Sequence, residues 1–174
     1  MIDTEREFKP LNIAVLTVSD SRTEEDDKSG NLLAERVRKA GHNLADKKIV
    51  IDDVYQLRAV VSSWIADLDV HVVITTGGTG LTGRDITPEA MKVLYDKEIE
   101  GFSAVFHSIS YEKIKTSTIQ SRAVAGLANG TVIFTLPGSP GACKDGWDGI
   151  ISQQLDIRHR PCNLVEIMPR FLEK

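Results

Sequence analysis

Residues 70–85 read VHVVITTGGTGLTGRD, and this stretch determines the predicted fold. Its first part, Val70–Thr75, is apolar and rich in β-branched residues, which predicts a buried strand. The loop Thr76–Gly80 follows directly, and four glycines occupy the seven positions from Gly77 to Gly83. Glycine allows backbone N–H groups to turn toward one point, and such groups bind anions without a side-chain charge. The stretch therefore predicts a buried strand that ends in a phosphate-binding loop.

The segments around this loop alternate between strand and helix patterns. Nearly continuous apolar runs are typical of parallel strands that are buried on both faces. Apolar residues repeated every three or four positions are typical of helices. The strands predicted before the loop are Leu11–Val18 and Lys48–Ile51. The predicted helices are Lys28–Ala40, Val54–Leu68, one that starts with Thr87 as its N-cap and Pro88 next, and one that carries Phe102–Ile109.

The last third of the domain predicts a hairpin and a final helix. Two strand-like runs, Ala123–Leu127 and Thr131–Leu136, flank Asn129-Gly130, the preferred type I′ turn. A Pro/Gly-rich loop and the helical pattern of residues 143–155 follow. The alternation predicts a three-layer α/β/α sandwich whose mostly parallel sheet carries one antiparallel strand. We expect an N-terminal extension (residues 1–10), one α/β domain (residues 11–160) and a C-terminal tail (residues 161–174) that packs on the domain or on a neighbouring subunit.

Composition restricts the class of protein. The chain has 174 residues, of which 41% are hydrophobic and 26% charged, and its net charge is −4. These values are typical of one globular domain. A nucleic-acid binder needs a basic surface, and no large Lys/Arg cluster is present. The acidic run Glu24–Asp27 predicts a solvated loop.

The two cysteines and the chain start indicate a compartment. Cys143 and Cys162 do not have the spacing of a metal site. The start of the chain carries no apolar signal segment, and no run is long enough to span a bilayer. We therefore expect a cytoplasmic protein with reduced thiols and no membrane partner.

Polar residues follow several predicted strands. In open α/β sheets, ligands bind beyond the carboxyl ends of the strands. The segments expected at that edge are Ser19-Asp20, Asp52-Asp53, the loop of residues 76–85 and the loop Pro137–Pro140. One crevice is expected to contain all of them, with the hydroxyl groups of Thr79 and Thr82 as further donors.

Two carboxylates in this set are candidate Mg²⁺ ligands. Asp85 lies beside the predicted phosphate loop, where it would repel an anion unless a cation lay between them. Mg²⁺ prefers one or two carboxylates together with phosphates and waters, and Asp52 is a candidate for the second. The alternatives are that Asp85 stabilises the N-terminus of a helix and that Asp52 is a turn residue. Asp53 is better explained as a helix cap.

Two familiar nucleotide motifs nearly match the loop. Residues 78–83 spell GxGxxG, which leaves a nicotinamide-linked oxidoreductase as a weak alternative, because the predicted helix starts too late for a dinucleotide fold. Residues 78–85 also resemble a P-loop, but Arg84 replaces the lysine and Asp85 replaces the Mg²⁺-binding hydroxyl. A P-loop mechanism is therefore not expected.

A set of motifs resembles one known family over residues 11–155. TGGTG followed by RDITPEA (residues 76–90) is similar to the molybdopterin-binding domain of the MoaB/MogA family. TVSDSR (17–22), DKSG (27–30), SRAVAG (121–126) and LPGSPGA (136–142) resemble that family's other signatures in the same order. TGGTG alone would not be specific, but this combination is.

The resemblance implies a three-layer sandwich and a molybdopterin adenylyltransferase. Such an enzyme uses Mg²⁺ and ATP, or another nucleotide, to place AMP on the terminal phosphate of molybdopterin. It also implies a homotrimer or homohexamer, and other enzymes of the molybdenum cofactor pathway as partners. By motif, the catalytic and metal-binding residues are Asp52 and Asp85. With the edge residues already identified, the expected substrate-binding residues are Ser19, Asp20, Gly77, Gly78, Thr79, Gly80, Ser110, Pro137, Gly138, Ser139 and Pro140.

The chain departs from the family at one site residue. Active members usually have a proline before the first aspartate, whereas this chain reads Val50-Ile51-Asp52. A non-catalytic protein of the same pathway, which binds molybdopterin or nucleotide, is therefore the alternative function.

Overall fold

A six-stranded sheet with the order β2-β1-β3-β6-β5-β4 forms the centre of the protein. The computed structural model describes residues 1–173, so Lys174, the last residue of the predicted tail, lies outside the described residues. Strand β5 is antiparallel to both neighbours, β6 and β4, and the other pairs are parallel. The strands are β1 Asn12–Val18, β2 Asn43–Val50, β3 Val72–Thr76, β4 Lys97–Glu98, β5 Val124–Ala128 and β6 Thr131–Leu136.

Helices cover both faces of this sheet. The helices are α1 Lys28–Lys39, α2 Val54–Ala66, α3 Thr87–Lys92, α4 Glu100–Ile114, α5 Pro140–Gly146, α6 Ser152–Gln154 and α7 Leu164–Ile167. A π-helical turn, Trp147–Ile151, joins α5 to α6. The predicted three-layer sandwich with one antiparallel strand is thus confirmed.

Two apolar clusters, one on each face of the sheet, form the core. Along β3, Val72 and Ile74 belong to the cluster that includes residues of α1, α4 and α5. Val73, between them, belongs to the cluster that includes residues of α2 and α3. Successive strand residues point to opposite faces, so a strand covered on both sides must be apolar at every position. This requirement explains why β3 was recognisable from its sequence.

Strand β2 was predicted too short. Its start was placed at Lys48, but it pairs with β1 from Asn43 onward. Because β2 is an edge strand, most of its side chains are only partly buried and several are charged. Its first half therefore lacks the apolar pattern of the inner strands.

The hairpin turn was predicted correctly. Asn129 has φ +47° and Gly130 has φ +84°, and a type I′ turn requires positive φ at both central residues. The helix predicted over residues 143–155 corresponds to the end of α5, the π-helical turn and α6, whereas the two-residue strand β4 and the short helix α7 were not predicted. Helix α2 ends at Ala66, so Leu68 lies beyond it and is 70% exposed.

The acidic run of residues 24–27 is not uniformly solvated. Asp27 is fully buried, where it caps α1 by accepting a hydrogen bond from Gly30 N–H at 2.9 Å. Its carboxylate also accepts a hydrogen bond from Thr17 Oγ1 at 2.8 Å and lies 3.2 Å from Lys47 Nζ. The prediction of a solvated loop failed at Asp27 because its partners Thr17 and Lys47 lie on β1 and β2, far from it in the sequence.

The two chain ends pack against each other. Ile2 forms an isolated bridge with His159, and the Arg160 guanidinium donates to Asp3 Oδ2 at 3.0 Å. In the tail, Val165 is buried and belongs to a core cluster. Among residues 1–173, no helix combines the length and the apolar character that a membrane crossing requires.

Candidate functional site

The loops that follow β1, β2, β3 and β6 meet at the carboxyl edge of the parallel strands. Ser19 N–H donates to Val50 O at 2.9 Å, which joins the first two loops. Gly77 N–H donates to Leu136 O at 3.1 Å, which joins the other two. The predicted edge segments therefore lie side by side in two hydrogen-bonded pairs.

The glycine loop is held in a conformation that favours glycine. Gly77 has φ +102° and Gly78 has φ +63°. A β-carbon on Gly77 would lie 2.3 Å from Val18 O, and one on Gly138 would lie 3.2 Å from Gly77 Cα. Within residues 1–173, the N–H groups of Gly78 and Thr79 donate to no other backbone group. The backbone therefore leaves the donor capacity of these two amides unused.

Asp52 lies directly against this loop. Its Oδ1 atom is 2.9 Å from the position that a β-carbon on Gly78 would occupy. Its N–H donates to Asp20 Oδ1 at 3.1 Å, so its backbone is fixed by the loop after β1. Burial, followed by the negative charge of Asp20, raises the pKa of the Asp52 carboxyl, and Asp85 adds to the effect. A cation at this position would relieve the repulsion.

Asp53 is a helix cap, as predicted. Its Oδ1 atom accepts hydrogen bonds from Tyr55 N–H at 3.0 Å and Gln56 N–H at 2.8 Å. These bonds satisfy two of the free N–H groups in the first turn of α2.

Asp85 lies on the other side of the same loop. Its Oδ2 atom accepts hydrogen bonds from Thr82 N–H at 2.9 Å and Thr82 Oγ1 at 2.6 Å. A β-carbon on Gly80 would be only 2.8 Å from that oxygen. The hydrogen bonds from Thr82 lower the pKa of the Asp85 carboxyl, so it remains an anion beside the loop.

Asp20 pairs with Arg84. Arg84 Nη2 lies 2.6 Å from Asp20 Oδ1, and Arg84 Nε donates to Asp20 Oδ2 at 3.0 Å. The hydrogen bond from Arg84 lowers the pKa of Asp20. This exposed ion pair connects the loop after β1 to the loop after β3. Sequence reasoning did not find it, since 64 positions separate the partners.

The loop after β6 forms another wall of the site. Ser139 caps α5, because its Oγ accepts from Ala142 N–H at 3.2 Å, and Pro140 begins that helix. Pro137 O accepts from Thr76 Oγ1 at 2.9 Å. Gly138 O accepts from two donors that the sequence did not reveal, Ser29 Oγ at 2.7 Å and Arg22 Nη2 at 3.1 Å.

Two further predicted site residues differ in their surroundings. Ser19 lies at the edge, and its Oγ accepts from Ser21 N–H and Arg22 N–H at 3.3 and 3.2 Å. Ser110 is buried on α4, a helix whose neighbours include β5, α5 and the π-helical turn. Its assignment to the ligand site stays a prediction.

Thr87 is not the N-cap of α3, contrary to prediction. The helix begins at Thr87 itself, Ile86 takes the cap position, and no side chain caps the helix. Thr87 is fully buried, and its Oγ1 has no hydrogen-bond partner among residues 1–173. That oxygen lies 2.3 Å from the β-carbon position of Gly78. The threonine therefore turns its hydroxyl toward the glycine loop instead of toward its own helix.

The donor set fits Mg²⁺ only when a ligand supplies further oxygens. Within the described part of the chain, no three His, Cys, Asp or Glu side chains are close enough together to hold a metal ion. Two carboxylates, Asp52 and Asp85, and the unpaired hydroxyl of Thr87 adjoin the loop. Mg²⁺ typically takes one or two carboxylates and completes its shell with phosphates and waters.

Comparison with known proteins identifies the family. The sequence profile described as "Probable molybdopterin binding domain" matches residues 14–157. Molybdenum cofactor biosynthesis protein B of Escherichia coli (strain K12) is 55% identical over 163 residues, which are 94% of this chain and 96% of that protein. The protein of the same name from Bacillus cereus is 44% identical over 148 residues, 84% of this chain and 88% of that protein.

Solved structures agree with the sequence comparison. A crystal structure of a molybdenum cofactor biosynthesis protein B superposes with a TM-score of 0.87 at 38% identity, covering 97% of this chain and all of the other. The tungsten cofactor synthesizing protein MoaB from Pyrococcus furiosus gives a TM-score of 0.76 at 42% identity, covering 83% and 92%. The resemblance to the MoaB/MogA family is confirmed, and the chain belongs to the molybdopterin-binding-domain family of molybdenum cofactor biosynthesis proteins.

Proposed function

We propose that this protein binds molybdopterin and ATP at the carboxyl edge of its sheet and transfers AMP to the molybdopterin phosphate. The observation that carries the proposal is the arrangement of Asp52 and Asp85 around the glycine loop. The edge offers free backbone amides, and the two carboxylates stand beside them. A site with both features suits two phosphorylated substrates and a divalent cation.

The proposed reaction requires two anions to meet. An oxygen of the molybdopterin phosphate attacks the α-phosphorus of ATP, the bond from that phosphorus to the β-phosphate oxygen breaks, and pyrophosphate leaves. Catalysis of such a transfer consists mainly of positioning and charge neutralisation. The N–H groups of Gly78 and Thr79 would neutralise part of the charge on one phosphate.

The carboxylates have a separate role in this proposal. Asp52 and Asp85 would hold Mg²⁺, which would supply positive charge to offset the charge of the triphosphate. Asp20 fixes the backbone of Asp52, and Thr82 fixes the carboxylate of Asp85. Both acids are therefore oriented before any ligand arrives, which lowers the entropic cost of binding.

A non-catalytic binder is the second candidate. One observation favours it: both hydrogen bonds from Thr82 reach Asp85 Oδ2, which leaves only Asp85 Oδ1 to a metal ion. The missing proline before Asp52 agrees with this alternative. In this case the glycine loop would hold molybdopterin or a nucleotide, and no AMP would be transferred.

A coupled assay separates the two candidates. We expect pyrophosphate release that requires ATP, Mg²⁺ and molybdopterin together. Asp85→Ala should abolish turnover and have a smaller effect on molybdopterin binding, whereas Asp53→Asn, which keeps a capping side chain, should retain turnover. Tight molybdopterin binding without AMP transfer in the unmodified protein would select the non-catalytic function. Unchanged turnover in Asp85→Ala would remove the role proposed for that residue.

Assembly and location complete the proposal. We expect a homotrimer or homohexamer, which light scattering in solution would distinguish from a monomer. We also expect the protein to act in the cytoplasm beside other enzymes of the molybdenum cofactor pathway. Both cysteines are free thiols, which agrees with a reducing compartment.

A further inference from the structure

Arg122, the arginine of the SRAVAG stretch, lies just before β5 and points its guanidinium at the glycine loop. Its Nε donates to Gly80 O at 2.9 Å and to Thr79 O at 3.3 Å. Its Nη2 donates to Asp85 O at 2.9 Å, and its Nη1 pairs with the Glu89 carboxylate. One side chain thus binds three carbonyl groups of the loop between β3 and α3.

These contacts determine which way the loop amides point. In a planar trans peptide, the C=O and the following N–H point in opposite directions. Because the carbonyls of Thr79 and Gly80 face Arg122, the N–H groups of Gly80 and Leu81 face the opposite side. The Asp85 carboxylate lies on that side, where the Gly80 N–H helps to lower its pKa.

The guanidinium is suited to this contact, and a lysine is not. Arginine presents several N–H donors in a rigid planar fork, whereas lysine is a single charge on a flexible stem. Hydrogen bonds from a charged donor are stronger than neutral ones. The Arg122 side chain is about one-third exposed, so its bonds to the loop are partly shielded from water.

A second arginine in the same region provides the comparison. Arg58 on α2 also donates to backbone carbonyls, with Nη2 3.2 Å from Glu89 O and Nε 3.4 Å from Ala90 O. Both carbonyls belong to α3, not to the glycine loop. Arg58 therefore stabilises α3, while Arg122 binds the irregular segment that precedes α3.

We propose that Arg122 is a positioning residue that fixes the loop of residues 79–85 so that the Asp85 carboxylate, held by the N–H groups of Gly80 and Thr82, faces the bound phosphate and its cation. The phosphate in this inference rests on the proposed function. Arg122 itself is on the far side of the loop and acts through the backbone.

Two measurements on matched variants test this role. The variants are Arg122→Gln, Arg122→Lys, Arg122→Gly and the control Arg58→Gln. Hydrogen exchange followed by mass spectrometry reports on the amides of residues 77–86, and calorimetry with inorganic pyrophosphate and Mg²⁺ reports on anion binding. Urea unfolding shows whether the variants stay folded.

We expect both Arg122 variants to exchange the loop amides faster than the unmodified protein. We also expect them to bind pyrophosphate at least about tenfold more weakly, which corresponds to about 1.4 kcal/mol. Arg58→Gln should keep loop exchange and pyrophosphate affinity, although its stability falls. If millimolar guanidinium restores the pyrophosphate affinity of Arg122→Gly, the planar set of guanidinium donors is what the loop requires.

Three results would overturn the inference. The first is loop exchange in Arg122→Gln at the rate of the unmodified protein. The second is full pyrophosphate affinity in Arg122→Lys, because charge alone would then suffice. The third is an equal loss of affinity in Arg58→Gln, which would indicate general destabilisation. Failure of the unmodified protein to bind pyrophosphate would contradict the proposed function, and the exchange rates alone would then decide whether Arg122 holds the loop.

Discussion

The Oδ1 atom of Asp52 lies 2.9 Å from the position that a β-carbon on Gly78 would occupy. The acid comes from the loop after β2 and the glycine from the loop after β3, so two segments of the chain meet at this point. Thr87 Oγ1 is also next to that position, at 2.3 Å. Space for a carboxylate, a hydroxyl and an exposed backbone thus exists only because residue 78 has no side chain.

Gly78→Ala is expected to damage both stability and ligand binding. The positive φ at this residue disfavours alanine, and the added methyl group would displace Asp52 or Thr87. A non-glycine residue held in this region costs about 1–3 kcal/mol, measurable by urea unfolding. Gly83→Ala is the control, because nothing lies within 4 Å of its β-carbon position. A fully stable Gly78→Ala protein with unchanged pyrophosphate affinity would contradict the crowding described.

Asp52→Asn is expected to remove the dependence of ATP binding on Mg²⁺. The amide keeps the shape of the side chain but offers no charge to the cation, so Mg²⁺–ATP should bind at least about tenfold more weakly. ATP without Mg²⁺ should bind as tightly as before or more tightly, since one repulsive charge is gone. Asp53→Asn is the matched control, because asparagine also caps helices well. Titration calorimetry with ATP, in Mg²⁺ and in EDTA, measures the two affinities for each variant. Equal Mg²⁺ dependence of ATP binding in Asp52→Asn and Asp53→Asn would exclude Asp52 as a metal ligand.

Asp27→Ala is expected to destabilise the fold by about 3–5 kcal/mol, the usual cost of removing one partner of a buried ion pair. The substitution removes the cap of α1 and the buried partner of Lys47, whose side chain is 12% exposed and keeps only the exposed Glu24, at 2.7 Å. The neighbouring Glu25 is exposed, so Glu25→Ala should change the free energy of unfolding by less than about 0.5 kcal/mol. Chemical denaturation of the two variants measures the difference. A similar small change in both would mean that Asp27 contributes no more than a surface acid.

Some features of the fold and of the candidate site could be predicted from the sequence, and others could not. Strand β3, the glycine loop and the Asn129-Gly130 turn were predictable, because local apolar patterns and positive φ requirements determine them. The burial of Asp27 and the contacts of Arg122 with the loop were not, because their partners lie on other strands and loops. Arg122 and Gly80, for example, are 42 positions apart. The sequence thus located the glycine loop and the acids beside it, but not the side chains that hold them in place.

The stability of the protein is expected to fall as the pH decreases from 6.5 toward 4, partly because of His42. This side chain is 5% exposed, and its Nδ1 accepts a hydrogen bond from Leu11 N–H at 3.1 Å, which requires the neutral ring. Burial lowers the pKa of His42 to about 4, from 6.5 for the exposed group. Between these values the unfolded chain binds a proton that the folded protein does not, so acid favours unfolding. The full shift corresponds to about 3 kcal/mol.

His42→Asn isolates this contribution. The amide oxygen of asparagine can accept the hydrogen bond from Leu11 N–H, but the side chain does not titrate. Urea unfolding at several pH values between 7 and 4.5 should therefore show a steeper loss of stability in the unmodified protein than in the variant. Carboxylates titrate in both proteins, so their contribution cancels in the difference between the two curves. Parallel curves would show that His42 is protonated equally easily in the folded and unfolded chains, which its burial and its accepted hydrogen bond oppose.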